Sequence, residues 1–130
     1  MSDGGYVIDA SAVLAVLLDE PRSERVRPFL SRAAIGAVNL SEVVAKLQER
    51  GMPDDAIDRA LAHLDLDVVA FDAAQAMAAG RLRARTRAPG LSLGDRACLA
   101  LATARGVPAV TTDRGWTALD IGAKLIVARD

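Results

Sequence analysis

Four acidic residues occupy positions where short apolar segments end or where helices are predicted to begin. They are Asp9, Glu42, Asp95 and Asp113. In an open α/β sheet, the crevice that binds ligands lies beyond the carboxyl ends of the strands. Acids that follow different strands of one parallel sheet would therefore meet at that edge. We expect these four carboxylates to share a single pocket.

Converging carboxylates repel one another unless a positive charge is present. Two like charges ~5 Å apart repel by roughly 3 kcal/mol at an effective dielectric of about 20. A bound divalent cation would relieve that repulsion, and several carboxylate oxygens suit Mg²⁺ or Mn²⁺. Zinc prefers Cys and His, and the chain offers only Cys98 and His63. A cation held in this way is typical of phosphate chemistry, in which it activates water and stabilises the leaving oxygen.

Each of these acids also has a purely structural reading. Asn39-x-x-Glu42 and Ser92-x-x-Asp95 both fit the capping box that begins many helices. The acids at strand ends are also good turn formers. A further acid, Asp72, fits a helix cap, and we expect no other role for it.

The elements that must position the acids are short strands alternating with helices. The predicted strands are Tyr6–Ile8, Ile35–Val38, Val68–Phe71, Ala109–Thr111 and Leu125–Val127. They are nearly continuous apolar runs, which suit a parallel sheet covered on both faces. We therefore predict an α/β fold, a three-layer α/β/α sandwich with a central parallel sheet, formed by one domain over residues 1–130.

The composition narrows the classes of partner. Apolar residues make up 52% of the chain and aromatic residues 3%, so the core must rely on Ala, Leu and Val. The net charge of −1 predicts no global attraction to nucleic acid, and any such binding needs a local basic patch. No apolar run is long enough for a membrane span, and one cysteine cannot form an internal disulfide. These features favour the cytoplasm.

Four segments resemble, in order, the motifs of the PIN domain. They are VIDASAVLAVLLDEP, AVNLSEVVAKL, LSLGDRACLALA and VTTDRGW. The resemblance is strongest to the VapC-type toxins of bacterial toxin–antitoxin pairs, and it covers nearly the whole chain. It implies a Mg²⁺- or Mn²⁺-dependent endoribonuclease that leaves a 5′-phosphate and a 3′-hydroxyl. It also implies a homodimer and a cognate, VapB-like antitoxin that blocks the acidic pocket.

The resemblance assigns roles to particular residues. The four acids match the family's acidic quartet, in which Asp9, Asp95 and Asp113 would hold metal and Glu42 would hold a second metal or orient the attacking water. Three neighbouring polar residues would support them: Ser11, Asn39 and Thr111. Gly115 stands where many relatives carry a further acid or another polar residue, so we expect one well-bound metal before RNA arrives.

Contacts to the RNA backbone would need basic residues near the acids. Arg96 and Arg114 each adjoin a proposed ligand, and Lys46 and Arg22 are further candidates.

The residues alone are also compatible with two other functions. A receiver-like phosphoacceptor domain shares this length and has acids at strand ends, and Asp72 could be its acceptor. The first strand is followed by only one acid, however, and Lys124 precedes its strand, whereas a receiver needs the lysine after it. A haloacid dehalogenase-type phosphatase would need Asp-x-Asp where this chain has Asp9-Ala10-Ser11. The second open function is a catalytically inactive binding module with the PIN fold.

Overall fold

The structure, a computed structural model, describes residues 5–87 and 90–129. Within these ranges, five parallel strands form one sheet in the order β3-β2-β1-β4-β5. The strands are β1 (Tyr6–Ile8), β2 (Ala33–Gly36), β3 (Asp67–Val69), β4 (Ala109–Thr111) and β5 (Leu125–Val127). The predictions for β1, β4 and β5 are confirmed residue for residue, whereas β2 and β3 begin and end earlier than predicted.

Helices connect the strands. The α-helices are α1 (Ala10–Leu17), α2 (Ser23–Val26), α3 (Ala37–Glu49), α4 (Asp54–Leu64), α5 (Ala73–Arg81) and α6 (Leu93–Arg105). Two short 3₁₀ segments, Arg27–Arg32 and Arg114–Ala118, lie between these elements. None of the helices in the described ranges has the length and apolar content that crossing a membrane would require.

Both faces of the sheet are apolar, so the molecule has two cores. Ile8 and Val110 point to one face and pack with residues of α1 and α3, including Val13 and Leu47. Their neighbours Val7 and Ala109 belong to the second cluster, which contains Cys98 and Leu99 of α6 and the fully buried Trp116. Adjacent strand residues therefore bury opposite faces, which explains the continuous apolar runs and confirms the three-layer α/β/α sandwich.

The predicted strand Ile35–Val38 is wrong at its end. The chain leaves the sheet at Gly36, which is the N-cap of α3, so Ala37 and Val38 form the first turn of that helix. Apolar residues are compatible with a buried strand and with a buried helix, and periodicity alone does not separate the two in so short a run. This shift places Asn39 inside α3, two residues beyond the point where the helix begins.

Candidate active site

The four acids line a single cavity at the carboxyl edge of the sheet. The cavity has a volume of about 240 Å³, and its other lining residues include Ser11, Asn39 and Lys46. Asp9 follows β1 and Asp113 comes two residues after β4, the strand that pairs with β1. Glu42 projects from the second turn of α3, and Asp95 projects from the first turn of α6. The topology thus brings together acids from four separate segments.

Asp9 is the most buried of the four, with 4% of its surface exposed. Its Oδ1 accepts hydrogen bonds from the backbone N–H of Ala12 at 2.9 Å and from the hydroxyl of Ser11 at 2.8 Å. Its Oδ2 accepts the hydroxyl of Thr111 at 2.5 Å. Burial raises the pKa of Asp9 to about 6, against these hydrogen bonds, and Asp95 raises it further. The carboxylate is held in place, yet its charge is poorly compensated.

The hydroxyls of Ser11 and Thr111 connect this carboxylate to the loop after β4. Ser11 Oγ accepts the backbone N–H of Thr112 at 3.1 Å, and Thr111 Oγ1 accepts the backbone N–H of Asp113 at 3.0 Å. The same two hydroxyls lie 3.3 Å apart. They therefore hold Asp9 and the backbone of Asp113 in a fixed relation.

Glu42 is held by α6 as well as by its own helix. Asn39 Nδ2 donates to Glu42 Oε1 at 3.0 Å and to the backbone carbonyl of Gly94 at 3.1 Å. Glu42 is exposed, but its carboxylate lies against Gly94. The resulting partial burial raises the pKa of Glu42, Asn39 lowers it, and Asp95 raises it. The capping-box interpretation of Asn39 and Glu42 is wrong, because Asn39 is within the helix and bonds across to α6.

The capping pattern at Asp95 is real. Ser92 Oγ accepts the backbone N–H of Asp95 at 3.2 Å, and Asp95 Oδ2 accepts the backbone N–H of Ser92 at 3.1 Å. Asp95 nevertheless lines the acidic cavity. The structural and the functional readings of this residue are therefore compatible.

Asp113 lies in the loop after β4, at the solvent-exposed side of the set. It is exposed, and its Oδ1 accepts the backbone N–H of Gly115 at 2.8 Å. Gly115 therefore serves the turn that orients Asp113, and it adds no acid of its own.

The donor chemistry of the cavity fits a hard divalent cation better than zinc. Carboxylate, amide and hydroxyl oxygens line it, and the thiol of Cys98 is buried with a pKa raised by desolvation and by the nearby acids. No three acidic, His or Cys side chains in the described ranges are grouped closely enough to hold a metal by themselves. This spacing is compatible with Mg²⁺, because that ion usually retains several waters and takes one or two carboxylates.

The proposed RNA-contacting residues are not all at the cavity. Lys46 lines it, and Lys46 Nζ lies 3.8 Å from Glu49 Oε1 in an i, i+3 ion pair. Arg96 Nη1 instead donates to the backbone carbonyl of Ala79 at 3.0 Å, which ties α6 to α5. Arg22 Nε lies 3.6 Å from Glu20 Oε1.

Arg114 begins the 3₁₀ turn directly after Asp113 and is exposed. It is therefore next to the cavity in sequence, although it is not one of the residues that line it.

Asp72 caps a helix, as expected. Its Oδ1 accepts the backbone N–H of Gln75 at 2.9 Å, and it follows β3 at the edge of the sheet. A receiver has the strand order 2-1-3-4-5 and needs its acceptor after a central strand. The observed order and the position of Asp72 disagree with that alternative.

Gly94 is not among the predicted site residues, but its carbonyl accepts a hydrogen bond from Asn39 and its Cα lies against the Glu42 carboxylate. The available signal was a glycine in the first turn of a helix, where it weakens helix formation relative to alanine.

One protein-family model matches most of this chain. The family model described as the PIN domain matches residues 6–122. No curated protein sequence matches the chain.

Similar solved structures include a toxin–antitoxin complex from Klebsiella pneumoniae, with 17% identity, a TM-score of 0.72, and coverage of 97% of this chain and 99% of that one. VapC20 of Mycobacterium tuberculosis, described as a Sarcin-Ricin loop cleaving toxin, has 18% identity, a TM-score of 0.70 and coverage of 88% and 94%. VapBC-5 of the same organism, a member of the VapBC family of toxin–antitoxin systems, has 25% identity, a TM-score of 0.65 and coverage of 96% and 98%. Because the family model spans most of the sequence, this chain belongs to the PIN domain family.

Proposed function

We propose that this protein is a divalent-metal-dependent endoribonuclease toxin that a cognate antitoxin restrains. The observation that carries the proposal is the meeting of Asp9, Glu42, Asp95 and Asp113 in one cavity. Family membership and the likeness to a toxin that cleaves the Sarcin-Ricin loop support RNA as the substrate. An RNA substrate and the unpaired buried thiol of Cys98 both suit the cytoplasm.

The four acids would bind the metal ion and orient the attacking water. Asp9, Asp95 and Asp113 would hold Mg²⁺ or Mn²⁺ directly or through water, and Glu42 would hold a second ion or orient the attacking water. When bound, the cation would supply a more acidic water and stabilise the charge on the leaving oxygen. Hydrolysis would leave a 5′-phosphate and a 3′-hydroxyl.

Three polar residues would keep these acids in position. Ser11 and Thr111 donate to the two oxygens of Asp9, so they favour its charged form. Asn39 donates to Glu42 and fixes the direction of that carboxylate.

Binding of the RNA backbone would involve Lys46 at the cavity wall and Arg114 beside Asp113. Arg22 and Arg96 are the other two predicted RNA contacts. The contact of Arg96 with Ala79 gives it a structural task, so we expect it to contribute less to RNA affinity than Lys46.

An antitoxin would cover the acidic cavity and the groove beside it. This groove has a volume of about 560 Å³, borders Glu42, and is lined by Val38, Phe71 and Leu93, the last with 49% of its surface exposed. An apolar antitoxin segment would fill the groove, and a basic side chain would neutralise the acids. The toxin–antitoxin complexes among the similar structures support this arrangement. We also propose a homodimer, which sedimentation would test.

The test is RNA cleavage by the wild type, Asp9→Asn and a matched control, Asp72→Asn. Asp72 also follows a strand and caps a helix, but it lies outside the cavity. We expect cleavage with Mg²⁺ or Mn²⁺, loss of cleavage with EDTA and in Asp9→Asn, and normal activity in Asp72→Asn. A panel of structured RNAs is needed, because cleavage of one generic RNA could fail through selectivity. An Asp9→Asn variant as active as the wild type would refute the mechanism.

A further inference from the structure

The carboxylate of Glu42 lies against Gly94, a residue of α6 that has no side chain. Gly94 is the second residue of α6 and is buried. A Cβ placed on Gly94 would overlap three atoms, which are Oε1, Oε2 and Cδ of Glu42. The space that any other residue would fill is thus taken by the carboxylate of a helix more than fifty residues away in sequence.

The backbone itself does not require glycine at this position. Gly94 lies in an α-helix without a positive φ, and alanine would favour the helix there. Gly80, in α5, is a useful contrast, because a Cβ at that position meets nothing within 4 Å. The demand for glycine at position 94 therefore comes from the neighbouring carboxylate.

The side chain of Asn39 holds the Glu42 carboxylate in this position. Asn39 Nδ2 bridges Glu42 Oε1 and the carbonyl of Gly94, so one amide group fixes both the carboxylate and the segment on which it rests. Asn39 is only 2% exposed, which prevents its amide from moving aside. Glu42 has a long side chain on an exposed helix turn, and without this support it would occupy several rotamers.

We propose that Gly94 is a positioning residue. Because Gly94 has no side chain, the Glu42 carboxylate can lie against its Cα, and this position directs the carboxylate into the acidic cavity. Glycine is needed here for space. The effect on cleavage rests on the proposed nuclease function, whereas the effect on the orientation of Glu42 does not.

The first test is structural. The Glu42 carboxylate is the flexible end of its side chain, so Gly94→Ala should fold, with a Tm within a few degrees of the wild type. A crystal structure of Gly94→Ala should show Glu42 in another rotamer and no Asn39 Nδ2–Glu42 Oε1 hydrogen bond. An unchanged Glu42 rotamer would overturn the inference.

The second test is kinetic, with Gly80→Ala as the matched control. We expect Gly94→Ala to lower kcat by a factor similar to that of Glu42→Ala, on the order of 10²-fold for a residue that orients water, with little change in KM. Gly94→Ala combined with Glu42→Ala should be no slower than Glu42→Ala alone, and Gly80→Ala should match the wild type. Additive losses would overturn the proposed dependence on Glu42. If the wild type cleaves no RNA, the proposed function fails, and the crystal structure still decides the role of Gly94.

Discussion

The hydroxyl of Thr111 donates to Oδ2 of Asp9 at 2.5 Å, across the paired strands β1 and β4. Thr111 is fully buried and Asp9 nearly so, so water does not replace this hydrogen bond. The contact favours the ionised carboxylate, while burial opposes it. The proposed binding of a cation by Asp9 near neutral pH would therefore depend in part on a threonine of the adjacent strand.

Replacing Thr111 with valine removes this donor and keeps the shape of the side chain. A hydrogen bond to a charged group contributes about 1.5–3 kcal/mol, which corresponds to roughly one to two pKa units. We expect the acid limb of the cleavage profile of Thr111→Val to move to higher pH. Thr103→Val is the control, because its hydroxyl bonds the backbone carbonyl of Leu99 within α6. An unshifted profile for Thr111→Val would show that the threonine does not support the charge on Asp9.

The buried carboxyl of Asp9 should make the metal-free protein less stable as the pH rises. Its pKa in the folded protein, about 6, lies above the ordinary value of 3.8, so the folded state binds the extra proton. Stability is thus lost between about pH 4 and pH 6, by up to about 3 kcal/mol. In EDTA, Asp9→Asn should be more stable than the wild type at pH 7, and the difference should shrink towards pH 4. Urea unfolding at several pH values measures this, and a difference that does not vary with pH would contradict it.

The orientation of Asn39 is dictated by its two acceptors, a carboxylate and a carbonyl. Asn39→Asp would replace the donor with a buried negative charge beside Glu42. We expect this variant to lose about 2 kcal/mol or more of unfolding free energy at pH 7, and less at pH 5. Gln48→Glu on the exposed part of the same helix makes the same chemical change and should have little effect. Equal losses in the two variants would argue against the contacts of Asn39.

Much of this site is predictable from the sequence because the ends of β1 and β4 are predictable. The runs before Asp9 and Thr112-Asp113 are apolar and short, and parallel strands bring their carboxyl ends to one edge. The support of Glu42 is not predictable in this way. Asn39-x-x-Glu42 has the spacing of a local cap, and only the tertiary contact with Gly94 shows that Asn39 bonds across to α6. The same is true of Arg96, whose partner is a backbone carbonyl of α5.

Arg96 and Lys46 should respond differently to alanine substitution. Arg96→Ala loses the bond to Ala79 and should cost about 1 kcal/mol of stability, with little change in RNA affinity. Lys46→Ala should leave stability nearly unchanged and reduce the slope of log affinity against log salt by about 1, if one phosphate contact is lost. Fluorescence anisotropy, in an Asp9→Asn background to prevent cleavage, measures the RNA affinity of both variants and its dependence on salt. Urea unfolding measures the stability of both variants. The reverse pattern would reassign the two residues.

The proposed binding of a divalent cation in the acidic cavity can be measured with Mn²⁺, without any knowledge of the RNA. Calorimetric titration at pH 7.5 should show Mn²⁺ binding to the wild type and to Asp72→Asn with similar affinity. Binding should weaken at least tenfold in Asp9→Asn, which is about 1.4 kcal/mol of lost binding free energy. Equal Mn²⁺ affinity in the wild type and Asp9→Asn would contradict the account.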